Sequence, residues 1–319
     1  MSGGAVIPQA LTTALAAIAP PPQFAQRAKR LIEQVQHGSP VTFTDDHDRT
    51  AYALSRMPAT AAAVAFALSQ GGVSDLTSVV DLGSGCGAGL WAAAERCRPG
   101  ARLVGVDRDE GLLTLARTLA ASGPDPLPKL ISLHADLSQP RDYGRADLVV
   151  LSHLCGELSD ELRPEVVRRA WSQSSRWLVI VEPGTPQGHQ TILAIRRVLN
   201  TAGAAIAAPC PHRGRCPLAE GPQWCHTDLR LTRSAAKNRE ITTIEPVSYL
   251  VAERISGDHR PGLSRIVAEP VIAKTTAELT LCGPTGLEQR RISNRMGQRW
   301  QRAKLATWGG AFDDRADPG

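Results

Sequence analysis

Among its seven cysteines this sequence has no CxxC pair, and it has neither a second glycine-rich turn nor an Asn/Asp-Pro-Pro-aromatic tetrapeptide. The first absence removes the zinc ribbon, the second the two-unit dehydrogenase, and the third the grip that many nucleic-acid aminomethyltransferases place on a base. No apolar run is long enough to span a bilayer, and MSGGAVIPQALTTALAAIAPPP lacks the early positive charge and cleavage pattern of a secretory signal. The expectation is a cytoplasmic protein without a membrane partner. Structural disulfides are rare in that compartment, so an odd number of partly clustered cysteines favours thiolate ligands or buried thiols. There is little excess of one charge: 36 Lys and Arg against 31 Asp and Glu give a net +5, so where the charge sits matters more than its total. With 319 residues, 42% of them hydrophobic, the chain can build a full core and has no need of a metal staple for stability.

What is present begins with helix. Residues 1–75 hold no clear strand; Phe24–Gln36 has apolar positions at helical spacing, and the alanine-rich Tyr52–Gln70 ends at Gly71-Gly72. This predicts an N-terminal helical layer whose role is packing, although Arg49 and Arg56 could reach a partner. From Leu76 short apolar strands (76–81, 101–109, 130–137, 146–154, 176–184) alternate with helical stretches (111–121, 161–175, 189–202), a rhythm that implies right-handed crossovers and a parallel sheet over residues 76–204. A cysteine-rich insertion follows at 205–245. The extended runs 246–254, 264–275 and 277–283 are expected to finish the sheet as antiparallel edge strands within a C-terminal part, 246–310, and 311–319 reads as a flexible tail.

The glycine loop DLGSGCGAG lies between the first strand and a helix. Gly83, Gly85 and Gly87 permit a tight turn and close approach of a ligand to the helix start. Asp81 just before the loop, Asp107 at the second strand end and Asp136 at the third tilt the ligand toward S-adenosylmethionine: an acid at the second strand suits a ribose diol, and one at the third suits an adenine amino group. Methyl transfer needs alignment and, for a protonated nucleophile, a proton acceptor. The natural place is the fourth strand end, SHLCGE, where His153 and Glu157 are the candidates; a packed, hydrogen-bonded histidine is the plainer reading.

The insertion contains CPHRGRCPLAEGPQWC, with Cys210, Cys216 and Cys225 in a rigid, proline- and glycine-rich path. Ligation would organise such a segment, and a fourth ligand is open among His212, His226 and Cys282, the last ending a predicted strand before a glycine. Four thiolates suit zinc or an iron-sulfur cluster; fewer thiolates plus histidine favour zinc. Unligated, partly buried thiols are the alternative, and Cys86, Cys97 and Cys155 are expected to be of that kind. From Arg290 to Lys304 there is no acid, and Arg291, Arg295, Arg299 and Arg302 are spaced to keep one helical side basic, accompanied by Trp300 and Trp308; Arg213 and Arg215 add charge in the cysteine loop. The choices are a solvated face or a surface for phosphates and stacked bases.

Taken in order, the glycine loop, VLSHLCGEL, VEPGTPQG, CPHRGRCP with WCH, SYLVAER, SRIVAEP, LCG and GQRWQRAKLATWGG resemble the mitochondrial small-ribosomal-subunit methyltransferase-like assembly factors and their bacterial relatives, over roughly residues 45–310. The resemblance implies a class I S-adenosylmethionine-dependent methyltransferase-like α/β (Rossmann-like) fold that binds small-subunit rRNA during assembly. It also implies a four-iron, four-sulfur (4Fe-4S) cluster on Cys210, Cys216, Cys225 and Cys282, selecting Cys282 over the histidines. With it, Arg213, Arg215, Arg291, Arg295, Arg299 and Arg302 read as an RNA-facing set. The sequence departs from the family pattern at Thr227, after WCH, at Trp300, and at Gly310 in the closing motif. The leading expectation is a cytoplasmic small ribosomal subunit assembly factor, monomeric when free. The alternatives are an active rRNA methyltransferase using His153 or Glu157, and a zinc-stabilised methyltransferase for a protein or small molecule.

Overall fold

A strand covered on both faces must be apolar on both, and the near-continuous Val, Leu and Ile runs identified above meet that condition. A computed structural model describes residues 6–36, 41–122, 127, 130–235, 239–254, 263–283 and 285–313. Strands β1 (Leu76–Leu82), β2 (Cys97–Asp107), β3 (Leu130–His134), β4 (Ala146–Ser152) and β5 (Ser174–Pro183) pair in parallel in the order 3-2-1-4-5. Their connections carry α4 (Ala88–Ala94), α5 (Glu110–Ala120) and α6 (Leu162–Gln173), and α7 (Pro186–Thr201) follows β5. Beyond β5 the long reversed strand β8 (Arg239–Glu253) lies antiparallel to β5 and to β6 (Ala205–Ala208), and also pairs with β7 (Thr227–Ala235) as a hairpin. The result is a mixed α/β sheet with a five-strand parallel core and an antiparallel edge.

The period of two along each strand divides the sheet's side chains between two cores. Val79, Leu103, Leu148 and Val179 join the core that contains residues of α1 (Gln9–Ala16), α3 (Asp46–Gln70) and α4. Their neighbours Val80, Val104, Val149 and Leu178 join the core that contains residues of α6 and α7. Each such side chain, taken fully out of water, contributes roughly 1.5–3 kcal/mol.

Helix α3 starts earlier than the alanine run suggests. Asp45 caps it, its carboxylate accepting the Asp48 N–H at 2.8 Å, and the helix is 25 residues long. By length and hydropathy α3 could cross a membrane, which corrects the expectation that no such segment exists; 72% of its most apolar window is buried inside the protein, so its apolar side chains belong to the core. Arg49 and Arg56 are also turned inward. Arg49 forks onto Asp109 at 2.8 and 2.9 Å, and Arg56 holds Glu245 of β8 at 2.6 and 3.2 Å.

The segments 264–275 and 277–283 do not extend the main sheet. With neighbouring residues they form a second antiparallel sheet, ordered β10 (Val271–Ile272), β11 (Thr276–Gly283), β9 (Leu263–Ile266), β13 (Ala311–Asp313), with β12 (Gly286–Ser293) paired to β11. Its own small core of Ile266, Leu279, Leu281, Ile292 and Phe312 is closed by Trp300 and Ala303 of α8 (Gly297–Lys304). Residues 311–313, expected in a flexible tail, are thus a strand, while 314–319 lie outside the described residues. The insertion also contributes to regular structure: its start is β6 in the main sheet and its end is the β7–β8 hairpin.

The Arg56–Glu245 pair ties the helical layer to the reversed strand, with the two side chains 10% and 21% exposed. Glu245→Ala strands a guanidinium in a nearly dry site and is expected to lower the unfolding free energy by about 3 kcal/mol, with Arg56→Met/Glu245→Met recovering much of that loss. Urea denaturation of the three proteins checks this; equal losses in the single and double variants would contradict it.

Candidate functional site

At the end of β1 the chain passes through Gly83, Gly85 and Gly87 at φ of 72°, 50° and 88°. Those left-handed values disfavour any side chain, which accounts for glycine at alternate positions. Val106 O accepts from Gly83 N–H and Ser84 N–H at 2.8 and 3.0 Å, fastening the loop to β2. Asp107 then receives Gly85 N–H on Oδ2 at 2.8 Å and Asp109 N–H on Oδ1 at 2.9 Å. Behind the loop Asp81 is fully buried, and a Cβ at Gly89 would lie 2.6 Å from its Oδ2. Burial, and next the charge of Asp107, raises Asp81 to about 7. Burial also raises Asp107, opposed by the two N–H groups it accepts. Asp136 is exposed in the turn after β3, where Ser138 N–H, at 2.8 Å, holds its carboxyl below the usual range. The structure therefore gathers Asp81, the glycines and Asp107 at adjoining strand ends, with Asp136 beside them after the next strand.

At the end of β4, His153 has φ 54°, a strained value for a non-glycine residue. Both ring nitrogens are out of solvent and without a hydrogen-bond partner among the described residues. Burial, then the charge of Arg56, lowers it to about 4, so the imidazole is neutral near pH 7. Glu157 stands 4.0 Å from Arg108, and burial raises its carboxyl. Sequence reading missed Glu182, the single acid at the end of β5. It is 2% exposed, accepts Cys155 N–H at 2.9 Å, and is raised to about 7 by burial; an acid ending an otherwise apolar strand was the available signal. His153, Glu157, Glu182, Tyr52, Gln187 and Gln190 line a cleft of about 900 Å³. A neutral imidazole beside two carboxyls of raised pKa can accept or relay a proton.

A different side of α7 borders a second space. His189, Ile192, Leu193 and Arg196 fall on one helical stripe and line a small, partly enclosed cavity of about 40 Å³. Cys210, Cys216 and Cys225 enter it from the irregular segment, and Cys282 enters from β11 across the second sheet. Cys282 Sγ lies 3.6 Å from His212 Nε2, and Cys216 Sγ lies 4.0 Å from His189 Nε2. His226, the other histidine considered as a ligand, also faces the cavity. Burial raises Cys210 and Cys282 to about 12; at Cys210 the charge of Arg196 opposes the rise, while the neighbouring cysteines add to it at both and Arg265 opposes it at both. Thiols of that kind ionise only against a positive centre. Among the described residues, no three His, Cys, Asp or Glu side chains are drawn closely enough together to hold a single ion. Cys86 and Cys155, by contrast, are buried in the two cores of the main sheet, and Cys97 packs at the edge of one.

The expected one-sided basic helix is not formed. Arg291 is on β12, opposite Glu278 and 3.9 Å from it; Arg295 is exposed in the turn; only Arg299 and Arg302 are on α8. The strand-forming alternation of 286–293 overrides the helical spacing, because it buries Ile292 in the second core. Trp300 is also buried there and is not a stacking surface. Trp308 packs edge-on against His226 at 4.4 Å. Arg213 and Arg215 are exposed, Arg215 paired with Glu220. The departure at Thr227 has a local reason: its hydroxyl accepts from Arg265, and a Cβ on Gly309 would lie 2.4 Å from it.

This geometry can be set beside known proteins. The chain is 27% identical over 251 residues, 73% of its length, to the human (Homo sapiens) protein described as ribosome assembly protein METTL17, mitochondrial, and spans about half (54%) of that relative's length. Solved structures that it resembles include magnesium protoporphyrin IX methyltransferase from Synechocystis with bound SAM (17% identity, 77% of this chain and 98% of that one, TM-score 0.41). Another is a precorrin-6y methyltransferase from Geobacter metallireducens (15% identity, 60% and 88%, TM-score 0.42). The profile of the family described as "Mitochondrial small ribosomal subunit Rsm22" matches residues 46–313, which takes in the glycine loop, both cavities and the second sheet, and the chain belongs to that family.

Proposed function

We propose that this protein is a small ribosomal subunit assembly factor that binds S-adenosylmethionine at the glycine loop, holds a 4Fe-4S cluster on Cys210, Cys216, Cys225 and Cys282, and docks on rRNA. It would be cytoplasmic, and monomeric when free of the subunit. The observation that carries the reading is the convergence of four cysteines, from the irregular segment and from β11, on one cavity within a chain of the Rsm22 family. The relative described as a ribosome assembly protein supports the same assignment. A single zinc ion needs its sulfurs within about 2.3 Å of one centre. Four thiolates can also hold a 4Fe-4S cluster, and the family resemblance favours that centre. When bound, that centre supplies metal–thiolate bonds that cross-link the loop to the second sheet. Exposed Arg213, Arg215 and Arg295 offer forks to phosphates, with Arg291, Arg299 and Arg302 on the same C-terminal unit as Arg295.

Methyl transfer to rRNA is the second reading, favoured by the wide cleft in which neutral His153 faces the same space as Glu157 and Glu182. In that reaction Asp81, Asp107 and Asp136 would position the methyl donor, and His153 would take the proton of the acceptor.

Four measurements test these statements. Anaerobically purified protein is expected to carry iron and acid-labile sulfide, both lost in Cys282→Ser; zinc without sulfide would replace the cluster with the zinc reading. Titration calorimetry should show S-adenosylmethionine binding that weakens by more than about tenfold in Gly85→Arg, where the left-handed backbone and the new bulk both oppose the loop, while iron content is kept. Methyl transfer from labelled donor to small subunits, abolished by the same change, would establish the enzyme, and retained subunit binding without transfer would exclude it in that assay. Reversing Arg213, Arg215 and Arg295 to Glu should weaken rRNA binding and flatten its dependence on log salt by roughly two units or more; an unchanged slope would remove these residues from the interface.

A further inference from the structure

Two arginines line the cysteine cavity in a way the packing alone does not explain. Arg265 of β9 is 6% exposed and Arg196 of α7 is 5% exposed. Among the described residues, the acceptors each of them reaches are neutral. Arg265 donates from Nη1 to Tyr249 OH at 2.8 Å and from Nη2 to Thr227 Oγ1 at 2.6 Å, while Arg196 donates from Nη2 to His212 O at 2.6 Å. The Nε of each is buried without an acceptor. A buried guanidinium that meets only neutral dipoles is strongly unfavourable, and natural proteins compensate such a charge with an opposite one. Both side chains face the one space on which four cysteines converge.

The register makes the relation closer. Arg265 stands directly opposite Cys282 in the antiparallel β9–β11 ladder, so the two side chains project from the same face of the second sheet. Arg196 approaches from the main sheet's side, one helical turn beyond Ile192 and Leu193, and grips the carbonyl of His212 between Cys210 and Cys216. The cations therefore line the cavity from two separate units of the fold.

Four ionised thiolates around a dicationic core, whether one zinc ion or an oxidised four-iron cluster, retain roughly two negative charges. We infer that Arg196 and Arg265 are the internal counter-cations of a tetrathiolate centre in this cavity, so that centre and cavity wall together are near neutral. The inference rests on the metal-centre reading above. It assigns the two arginines a positioning role, holding an anionic group in a cavity whose described lining includes no other arginine or lysine. It also fixes the direction of their effect on a redox-active centre: nearby positive charge favours the more negative, reduced state and raises the reduction potential.

The test uses the full chain, purified anaerobically, with Arg265→Gln, Arg265→Lys, Arg196→Gln and Arg196→Lys. Metal and sulfide per chain, loss of the centre to a chelator, and reduction potential by spectroelectrochemical titration are read for each, with thermal melts to score folding. Each Gln variant is expected to lose its centre at least about tenfold faster than the parent, because one partner of a buried charge pair has been removed, and to shift its potential to more negative values. Each Lys variant should return the potential most of the way, since it keeps the charge while losing the fork. Gln variants with the parent's potential and lability would overturn the inference and leave the cluster reading standing. So would Lys variants that behave like Gln, which would mean that shape and not charge is needed. If Arg265→Gln does not fold, the Arg196 pair decides by the same criteria. If the parent holds zinc without sulfide, the iron-sulfur reading fails and the inference is judged by zinc loss in the same four variants. A parent that holds neither metal overturns both.

Discussion

The guanidinium of Arg265 joins parts of this chain that local sequence would leave apart. It springs from β9 in the second sheet, opposite Cys282, and its two forks end on Tyr249 of β8 and Thr227 of β7 in the main sheet. Thr227 in turn lies beneath Gly309, whose N–H donates to Ile266 O at 2.9 Å, and Gly310 O accepts from Ile266 N–H at 2.9 Å. One buried charge thereby connects the reversed strand, the hairpin, the second sheet and the closing Trp-Gly-Gly turn. The cysteine cavity lies where these meet. A cation in that position constrains what the cavity can accept, since an apolar occupant would leave it without compensation.

Helix α7 gives the molecule a wall shared by its two candidate sites. Thr185 caps it, its hydroxyl accepting Gly188 N–H at 3.1 Å, and Pro186 opens its first turn. Gly188 has to be glycine because a Cβ there would fall 1.9 Å from Pro183 O. Beyond this start, residues 189, 192, 193 and 196 face the cysteine cavity, while 187, 190, 191, 194 and 198 face the cleft that holds His153 and Glu182. The period of 3.6 assigns alternate stripes of a single rigid element to different spaces. A chain that runs EPGTPQG into this helix has therefore set the end of β5, the floor of the cleft and the first side of the cysteine cavity in one stretch.

The residues nearest the fourth and fifth strand ends carry the clearest marks of function in the main domain. His153 is strained and its ring is unsatisfied, and Glu182 is buried with its carboxyl raised to about 7. Such features cost stability, and they persist where the surrounding sheet is strong enough to impose them. Here the imposing structure is a five-strand parallel core packed on both faces, to which the Arg56–Glu245 pair fastens the helical layer.

Much of this was legible from residue order. The apolar runs and their spacing determined the parallel sheet, the glycines determined where its first strand turns, and the alanine-rich stretch determined the long covering helix, because each depends on contacts within a few residues. The resemblance selected the four cysteines. What residue order left undecided were the pairings between distant segments. Runs 264–275 and 277–283 have the same local pattern whether they extend the first sheet or begin a second, and only burial of Ile266, Leu279 and Ile292 with Trp300 settled it. The basic spacing of 291, 295, 299 and 302 fits a helix until Ile292 has a core to enter. Asp109 and Glu245 could not be assigned to Arg49 and Arg56 from sequence, being 60 and 189 residues away from them. Likewise the placement of Arg265 opposite Cys282, and of both arginines against one cavity, belongs to the tertiary structure: strand register and buried charge are decided by the whole assembly, not by the neighbours along the chain.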